Sequence, residues 1–260
     1  MYKRQAASNA VRVLPFCCKP CLISINGCDA LTFSILARDP SNGRFGVAVA
    51  TCHLAVGSTV PHIRAGVGAV ATQAHTNPYL GICGLERLEQ AMPADAVLES
   101  LMRDDPQRAF RQVQLIDASG TTACWTGDQC GDWAGHRSCG DLAVAGNWLA
   151  GEDVLIAMVD CLLASDPTWK LGRRLVHALQ AGENAGGDRR STRATSAAVQ
   201  VSGEAAFPLL DLRIDFQEEA VDALQHLYER SQLLWAQQWR DELMTRPVLN
   251  RTISNERRSA

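Results

Sequence analysis

Apolar and polar residues alternate along several short stretches of the chain, and this period of two is typical of β-strands. The stretches 32–37 and 45–51 are joined by DPSNG, whose Pro, Asn and Gly are turn formers. Residues 111–127 alternate in the same way on both sides of a turn at 118–120. The sequence therefore predicts two antiparallel hairpins.

Other apolar runs are rich in small residues. GVAVA lies in the second predicted strand, GVGAVAT covers residues 66–72, and DLAVAGNWLAG begins at Asp141. Strands of this composition are buried on both faces and allow neighbouring layers to approach closely. We therefore expect layers of structure on both sides of these strands.

Apolar residues recur at helical spacing in five further segments. The element order is then strands, two helices, strands, two helices, strands and a last helix. This order predicts an α+β fold, a four-layer α-β-β-α sandwich with mainly antiparallel sheets. A three-layer parallel fold fits less well, because hairpins pair antiparallel. The five helical segments are GLERLEQAM, PADAVLESLMRDD, EDVLIAMVDCLLAS, TWKLGRRLVHALQAGE and residues 217–240.

The chain divides into one folded domain and two flanking segments. Residues 1–31 have no sustained period, and Pro15 and Pro20 interrupt their apolar stretch, so we expect a non-native or disordered preface. Residues 32–240 contain no linker and are expected to form a single domain. Residues 241–260 are expected to be a flexible tail.

Composition excludes several classes of partner. The 260 residues carry a net charge of −3, and no basic stripe suits a nucleic acid or a membrane surface. No apolar run approaches the ~20 residues that cross a bilayer. The ten cysteines show neither a disulfide framework nor zinc-site spacing. We therefore expect a cytoplasmic protein with reduced thiols, no metal and no cofactor.

Five motifs resemble the domain-of-unknown-function 1028 family. They are TFSILARDPSNGRFGVAVAT, VPHIRAGVGAVATQAHTNPYLGICGLERL, DWAGH, AVAGNWLAG and AGENAGGDRR, in that order between Thr32 and about Asp215. The resemblance implies a fold of the N-terminal nucleophile (Ntn) hydrolase type. Family members begin Met-Thr-Phe-Ser, which implies a start at Leu31 and a mature chain that begins at Thr32. Cys52-His53 and residues 191–196 depart from the family pattern. If the loop over 191–196 contacts the substrate, the resemblance implies a substrate preference that differs from that of other members.

An N-terminal threonine can supply both a nucleophile and a base. Its hydroxyl is a weak nucleophile that needs a base within reach, and a free α-amine with a pKa of about 7.7–8.0 is partly neutral near pH 7. Thr32 would attack an amide carbonyl and form an ester that water hydrolyses. Self-cleavage of the Leu31–Thr32 bond is a second route to a free amine, but the bulk of Leu31 favours simple Met removal. Otherwise Thr32 is only a β-branched strand residue.

Further polar residues are candidates for the same site. Asn147 and Asn77 carry amide groups that could donate to an oxyanion, although each also suits a turn or a cap. Arginine suits a bidentate grip on a substrate carboxylate, although most exposed charged residues form surface pairs. The charged candidates are Arg64, Asp188, Arg189 and Arg190.

These features predict an Ntn-type amidohydrolase that cleaves a C–N amide bond of a small, carboxylate-bearing substrate. The alternative is a catalytically inactive small-molecule-binding protein on the same fold. A third hypothesis is a homo-oligomer that packs through the last helix, although the same spacing suits packing on the protein's own sheet. The residues in question are Leu224, Leu227, Leu234 and Trp235.

Overall fold

The computed structural model of the protein describes residues 31–187 and 193–246. The strands in these ranges are β1 (Thr32–Arg38), β2 (Phe45–Thr51), β3 (Pro61–Arg64), β4 (Gly68–Ala74), β5 (Arg111–Asp117), β6 (Thr122–Thr126), β7 (Ala134–Ser138), β8 (Leu142–Asn147), β9 (Ser196–Val201) and β10 (Leu210–Ile214). The helices are α1 (Pro78–Glu89), α2 (Ala94–Asp104), α3 (Asp153–Ala164), α4 (Leu171–Asn184), α5 (Ala220–Ser231) and α6 (Leu234–Met244).

The strands form two antiparallel sheets. Sheet A has the order β10-β9-β2-β1-β8-β7, and sheet B has the order β3-β4-β5-β6. Every neighbouring pair in both sheets is antiparallel. The predicted α+β class with antiparallel sheets is therefore confirmed.

Three apolar clusters hold these elements together. The first lies between sheet A and helices α3, α4 and α5, and it includes Phe33 and Leu175. The second lies between the two sheets and joins Leu36 to Ile116. The third covers the other face of sheet B with α1 and α2, and it includes Leu85. Successive residues of β1 point to opposite faces, so Phe33 meets the helices while its neighbours meet sheet B.

Small residues permit the close packing that the apolar runs predict. A Cβ atom on Gly46 of β2 would collide with the Leu175 side chain of α4. A Cβ atom on Gly182 of α4 would lie 2.7 Å from Cγ of Met158 of α3. Glycine at these two positions therefore lets α4 lie directly against its neighbours.

Most predicted elements are present, with two differences. Both predicted hairpins are confirmed as β1–β2 and β5–β6. The single helix predicted over 217–240 is wrong, because the chain forms α5 and α6 with an extended residue, Leu233, between them. Ser231 Oγ donates to the Tyr228 carbonyl at the end of α5, a local bond that competes with the helical pattern. Helix α6 runs to Met244, so the segment 241–260, which was expected to be a tail, begins inside this helix.

The helices of the described residues are short or amphipathic. No helix within 31–187 or 193–246 combines the length and the apolar character that a membrane crossing requires.

Replacing Phe33 by alanine should strongly destabilise the fold. Phe33 is fully buried in the cluster between sheet A and the helices, so its loss leaves a cavity that costs about 3–5 kcal/mol. Urea denaturation would measure the free energy of unfolding. Phe216→Ala is the matched control, since Phe216 is 71% exposed and its loss should change stability by less than about 0.5 kcal/mol. Equal effects of the two variants would contradict this packing.

Candidate functional site

Four polar side chains lie side by side at one end of sheet A. Thr32 of β1 is opposite Thr51 of β2 and opposite Asn147 of β8, and Thr51 is opposite Ser196 of β9. Residues that are directly opposite in antiparallel strands point to the same face. That face is the one toward sheet B, because Leu36 shares it with Thr32. We call these four residues the polar row.

The Thr51 hydroxyl connects the centre of the polar row to Leu31, the residue that precedes β1. Thr51 Oγ1 lies 3.0 Å from Thr32 Oγ1 and donates to the Leu31 carbonyl oxygen at 2.5 Å. The backbone N–H of His53 donates to the same hydroxyl at 3.3 Å. Only its place at the end of a small-residue strand marks Thr51 in the sequence.

Ser196 anchors the loop that follows β2. Its hydroxyl donates to the His53 carbonyl at 2.6 Å and accepts from the Val56 N–H at 3.2 Å. The Thr195 N–H donates to the Thr51 carbonyl. The polar row therefore also fixes the path of the chain where it leaves the sheet.

The Asn147 amide is oriented by a glutamine from sheet B. Asn147 Nδ2 donates to Gln112 Oε1 at 3.0 Å, and Gln112 Nε2 donates to the carbonyls of Gly146 and Gly135 at 2.8 and 3.0 Å. A carbonyl can only accept, so both amide groups have one allowed orientation. The Oδ1 atom of Asn147 is buried and has no partner in the described part of the chain. Asn147 thus offers one open acceptor and the second hydrogen of Nδ2.

A buried chain of amides extends this contact between the sheets. Gln73 Nε2 donates to Gln112 Oε1 at 2.8 Å, Ser34 Oγ donates to Gln73 Oε1 at 2.6 Å, and Gln114 Nε2 donates to Ser34 Oγ at 2.6 Å. All four side chains are buried. Sequence reasoning missed them because alternation in β5 identifies two faces without showing which one meets another sheet. The glutamine face of β5 meets sheet A, and the apolar face meets the helices.

Asn77 lies at the same end of the molecule as the polar row, whereas Arg64 lies at the opposite end. Asn77 follows β4 at the end of the molecule that holds the polar row, and its Oδ1 accepts from the Tyr79 N–H at 3.1 Å as the N-cap of α1. Arg64 pairs with Gly68 at the opposite end of sheet B, about 20 Å away along a seven-residue strand, and forms an ion pair with Glu89. The structure does not bring Arg64 to Thr32, because the strand register puts the two at opposite ends.

Asp188, Arg189 and Arg190 lie outside the described residues. The described residues on both sides of them are close to the polar row. The Gly187 carbonyl accepts from the N–H of Ala150, three residues after Asn147, and Thr195 bonds to Thr51.

Glu183 is a buried acid near the same end of the sheet, and sequence reasoning missed it. Its Oε1 accepts from the Ala194 N–H at 2.8 Å, two residues before Ser196, while its Oε2 has no partner in the described ranges. Burial raises the pKa of the Glu183 carboxyl above its ordinary value of 4.5. Its only signal in the sequence is its place at the end of a helix in AGENAGG.

The polar row is buried in the structure. Thr32 is 6% exposed and Asn147 is fully buried. An open cleft of about 550 Å³, lined in part by Asp39 and Trp169, lies at the β1–β2 turn, the opposite end of β1 from Thr32. Within the described residues, no group of three or more His, Cys, Asp or Glu side chains could hold a metal ion.

The model of a family of unknown function, DUF1028, matches residues 32–224 of the chain. The chain belongs to the DUF1028 family. The DUF1028 match begins at Thr32 and includes the whole polar row and Gln112. It does not include α6.

Solved structures resemble the chain to different degrees. The crystal structure of protein SPO2555 from Silicibacter pomeroyi, also of DUF1028, is 33% identical, with a TM-score of 0.74 over 80% of this chain and 93% of that one. Anbu (ancestral beta-subunit) from Yersinia bercovieri is 11% identical over 84% of this chain and 99% of its own, with a TM-score of 0.38. That score is below the level that indicates a shared fold. No curated protein matches the chain.

Replacing Gln112 by leucine should destabilise the protein. The change leaves the Asn147 and Gln73 amides and the Gly146 carbonyl without their buried partner, and the combined cost should reach about 3 kcal/mol or more. Urea denaturation measures this loss. Gln200→Leu is the control, because the hydrogen bond from Gln200 to Asp211 is exposed. Its loss should lower the free energy of unfolding by less than about 1 kcal/mol. A Gln112 variant as stable as the control would refute the network.

Glu183 should make the protein less stable as the pH rises above 4.5. Because its pKa is raised in the folded state, the folded chain holds this proton after the unfolded chain has released it. The free energy of unfolding should therefore fall between pH 4.5 and the raised pKa, and Glu183→Gln should remove that fall. Denaturation at a series of pH values from 4 to 7 compares the two proteins. Parallel curves for the wild type and the variant would contradict the assignment.

Proposed function

We propose that this DUF1028 protein is an Ntn-type amidohydrolase that cleaves a C–N amide bond of a small, carboxylate-bearing molecule, with Thr32 as its nucleophile. The observation that carries the proposal is the position of Thr32. It opens the first strand of sheet A and lies in a buried polar row between two sheets, beside Asn147 and Thr51. The motifs that begin at Thr32 and resemble Ntn-type members support the same conclusion.

We further propose that the architecture is a four-layer α-β-β-α sandwich. Three clusters support it, since they lie between helices and sheet A, between the two sheets, and between sheet B and α1 and α2. In such an arrangement the space between the sheets opens at their ends. The polar row lies at one of these ends.

In the proposed reaction, Thr32 supplies both the base and the nucleophile. Its free α-amine takes the proton of its own hydroxyl, and Oγ1 attacks the substrate carbonyl carbon. The C–N bond of the substrate then breaks, the amine leaves with the proton that the α-amine held, and the acyl group remains on Oγ1 as an ester. The second hydrogen of Asn147 Nδ2 donates to the oxyanion that develops. Water then hydrolyses the ester and restores Thr32.

The charged residues have the supporting role of holding the substrate. Arg189 and Arg190 would grip the substrate carboxylate, and Asp188 would accept from a donor group of the substrate, because the described residues on either side of them approach the polar row. Asn77 lies at the same end of the molecule, and its amide nitrogen is available to a ligand while its oxygen caps α1. Arg64 has no part in this proposal.

A free amine is the condition for this chemistry. In the structure Leu31 precedes Thr32, so the nitrogen of Thr32 is part of a peptide bond. Initiation at Leu31 followed by Met removal, or scission of the Leu31–Thr32 bond, would release the amine. If neither occurs, the same row supports the second candidate, a small-molecule-binding protein without catalysis, and the buried unpartnered Oδ1 of Asn147 favours ligand binding in that case.

Two further properties are proposals of the same kind. We propose a cytoplasmic location, supported by the composition of the chain. A homo-oligomer through α6 is supported by Leu234 and Trp235, which are 73% and 63% exposed. Leu224, by contrast, is buried against the protein's own core.

Thr32→Ala should lower the turnover rate of an amide substrate at least about 10³-fold, because it removes the nucleophile. A panel of small amides that carry a carboxylate, assayed for release of the amine, provides the measurement. Thr32→Ser keeps the hydroxyl and should retain activity. Turnover by Thr32→Ala at the wild-type rate would exclude Thr32 as the nucleophile. Ligand binding without turnover in the wild type would favour the binding protein.

A further inference from the structure

A cleft lies at the end of the molecule opposite the polar row, between the β1–β2 turn, the start of α4 and helix α6. Its volume is about 550 Å³. A hollow of this size suits a small organic ligand, since sites for such molecules measure about 300–1,000 Å³. The reaction proposed at Thr32 makes no use of it.

The floor of the cleft is apolar and closely packed. Val201, Leu210 and the ring of Tyr228 line it, and all three side chains are buried. A Cβ atom on Gly172 of α4 would lie 2.7 Å from Cδ2 of Leu210 and 3.1 Å from Cε2 of Tyr228. The start of α4 therefore packs directly against this floor and fixes its shape.

Two aromatic side chains give the cleft its rings. The Trp169 ring is held by the Arg173 guanidinium, which lies 3.6 Å from the ring centroid. Burial raises the pKa of the Tyr228 hydroxyl, so this group keeps its proton and can donate a hydrogen bond. The rings thus suit an aromatic ligand that also carries a hydrogen-bond acceptor.

Three cationic side chains of the cleft form no ion pair with any described residue. They are Arg44, Lys170 and Arg240. Arginines elsewhere, such as Arg38 and Arg64, pair with carboxylates. Positive charges that lack a counter-charge beside an apolar floor favour an anionic ligand, because they bond strongly to carboxylate or phosphate oxygens.

Two of these cations come from different elements to the same turn. Lys170, just before α4, donates from Nζ to Gln232 Oε1 at 3.0 Å, and Arg240 of α6 donates to the Ser231 carbonyl at 3.3 Å. Both acceptors are neutral, so neither positive charge is compensated there. An anion at this turn would contact the start of α4 and α6 together.

Two acids also line the cleft. Asp39 is engaged inside the β1–β2 turn, where Oδ1 accepts from the N–H and the hydroxyl of Ser41 and Oδ2 accepts from the Asn42 amide. Asp241 is exposed beside Arg240, and solvent screens its charge. The three cations therefore outnumber the acids, one of which is already bonded within its own turn.

Helix α6 is attached to the domain by few contacts. Ala236 is its one buried residue, and Gln237 Nε2 donates to the Gln232 carbonyl at 2.7 Å. The DUF1028 model ends at residue 224, so Tyr228 and Arg240 lie outside the region that it matches. The cleft therefore joins the family domain to a segment that the family model does not include.

We propose that this cleft is a second ligand site, which binds a small organic anion with an aromatic ring, and that the bound anion fastens α6 to the domain. The floor and the two rings take the aromatic part, and Arg44, Lys170 and Arg240 take the anionic group. An inorganic anion would leave the floor uncovered, and a neutral ring would leave the cations without a counter-charge. The proposal is independent of the reaction at Thr32, which lies at the other end of β1.

Isothermal titration calorimetry on the full-length protein tests the ligand class with three probes that share a naphthalene ring. Naphthoate and naphthyl phosphate carry an anionic group, and naphthamide is their neutral counterpart. At least one anion should bind with a dissociation constant below about 0.1 mM, and the amide at least about tenfold more weakly. The tighter of the two anions identifies the preferred group as carboxylate or phosphate.

Two variants on different elements locate the site. Lys170→Gln and Arg240→Gln should each weaken binding of the tighter anion at least about tenfold, because each removes a charged hydrogen bond. Arg230→Gln is the matched control, since Arg230 is exposed at the end of α5 and does not line the cleft, and affinity should change less than about twofold. Thr32→Ala should bind the anion as the wild type does. Melting temperatures establish that each variant folds, and either cleft variant alone is sufficient.

Hydrogen exchange tests the fastening of α6. With the anion at about ten times its dissociation constant, the amides of α6 should exchange about tenfold more slowly, because the anion binds only while α6 is docked. The amides of α2, on the far side of sheet B, are the control and should not change.

Three results would overturn the binding site. They are the absence of saturable binding by either anion up to about 1 mM, equal affinity for the anions and the amide, and wild-type affinity in folded Lys170→Gln and Arg240→Gln. Unchanged exchange of α6 at saturation would overturn its fastening. Failure of the proposed function would appear only in amide turnover and would leave all of these measurements as they are.

Discussion

The register of β1 against its two neighbours is the constraint on which the site depends. Pairing Thr32 with both Thr51 and Asn147 puts three polar side chains on one face at the end of sheet A. A shift of one residue would turn Thr32 toward the helices and place Leu31 or Phe33 between the sheets. The fully buried Phe33 and Ile35 prevent that shift, because their apolar side chains must face the helices. The apolar core and the polar site are thus fixed by the same alternation.

The buried amides between the sheets carry a second constraint. Amide groups away from water are costly unless they are bonded, and Gln73 and Gln112 are satisfied by each other and by carbonyls of β8. Among the described residues, the buried atoms without a partner include Asn147 Oδ1 in the polar row, Gln114 Oε1 in the amide chain and Glu183 Oε2 on α4. Unpaired buried polar atoms are expected where a ligand or a reacting group completes the site.

The sequence was sufficient for the parts that local rules decide. The DPSNG turn and the alternation around it predicted β1 and β2, and glycine-rich strands predicted close layers. Local sequence patterns did not predict the contacts between residues that are far apart along the chain. Alternation in β5 did not show that Gln112 faces another sheet, and no local pattern placed Arg64 at the far end of the molecule or Thr51 against the Leu31 carbonyl. Those facts depend on which strands are neighbours and in which register, and turns alone do not determine that.

The central claim is that the Thr32 hydroxyl is a nucleophile, and covalent labelling tests it most directly. The purified protein would be treated with a small β-lactone, which acylates an activated hydroxyl, and the adduct would be located by peptide mapping. We expect one ester on Oγ1 of Thr32, in a peptide that begins with the free amine of that residue. An unlabelled Thr32 in folded protein, or an adduct on the nearby Cys52 instead, would contradict it.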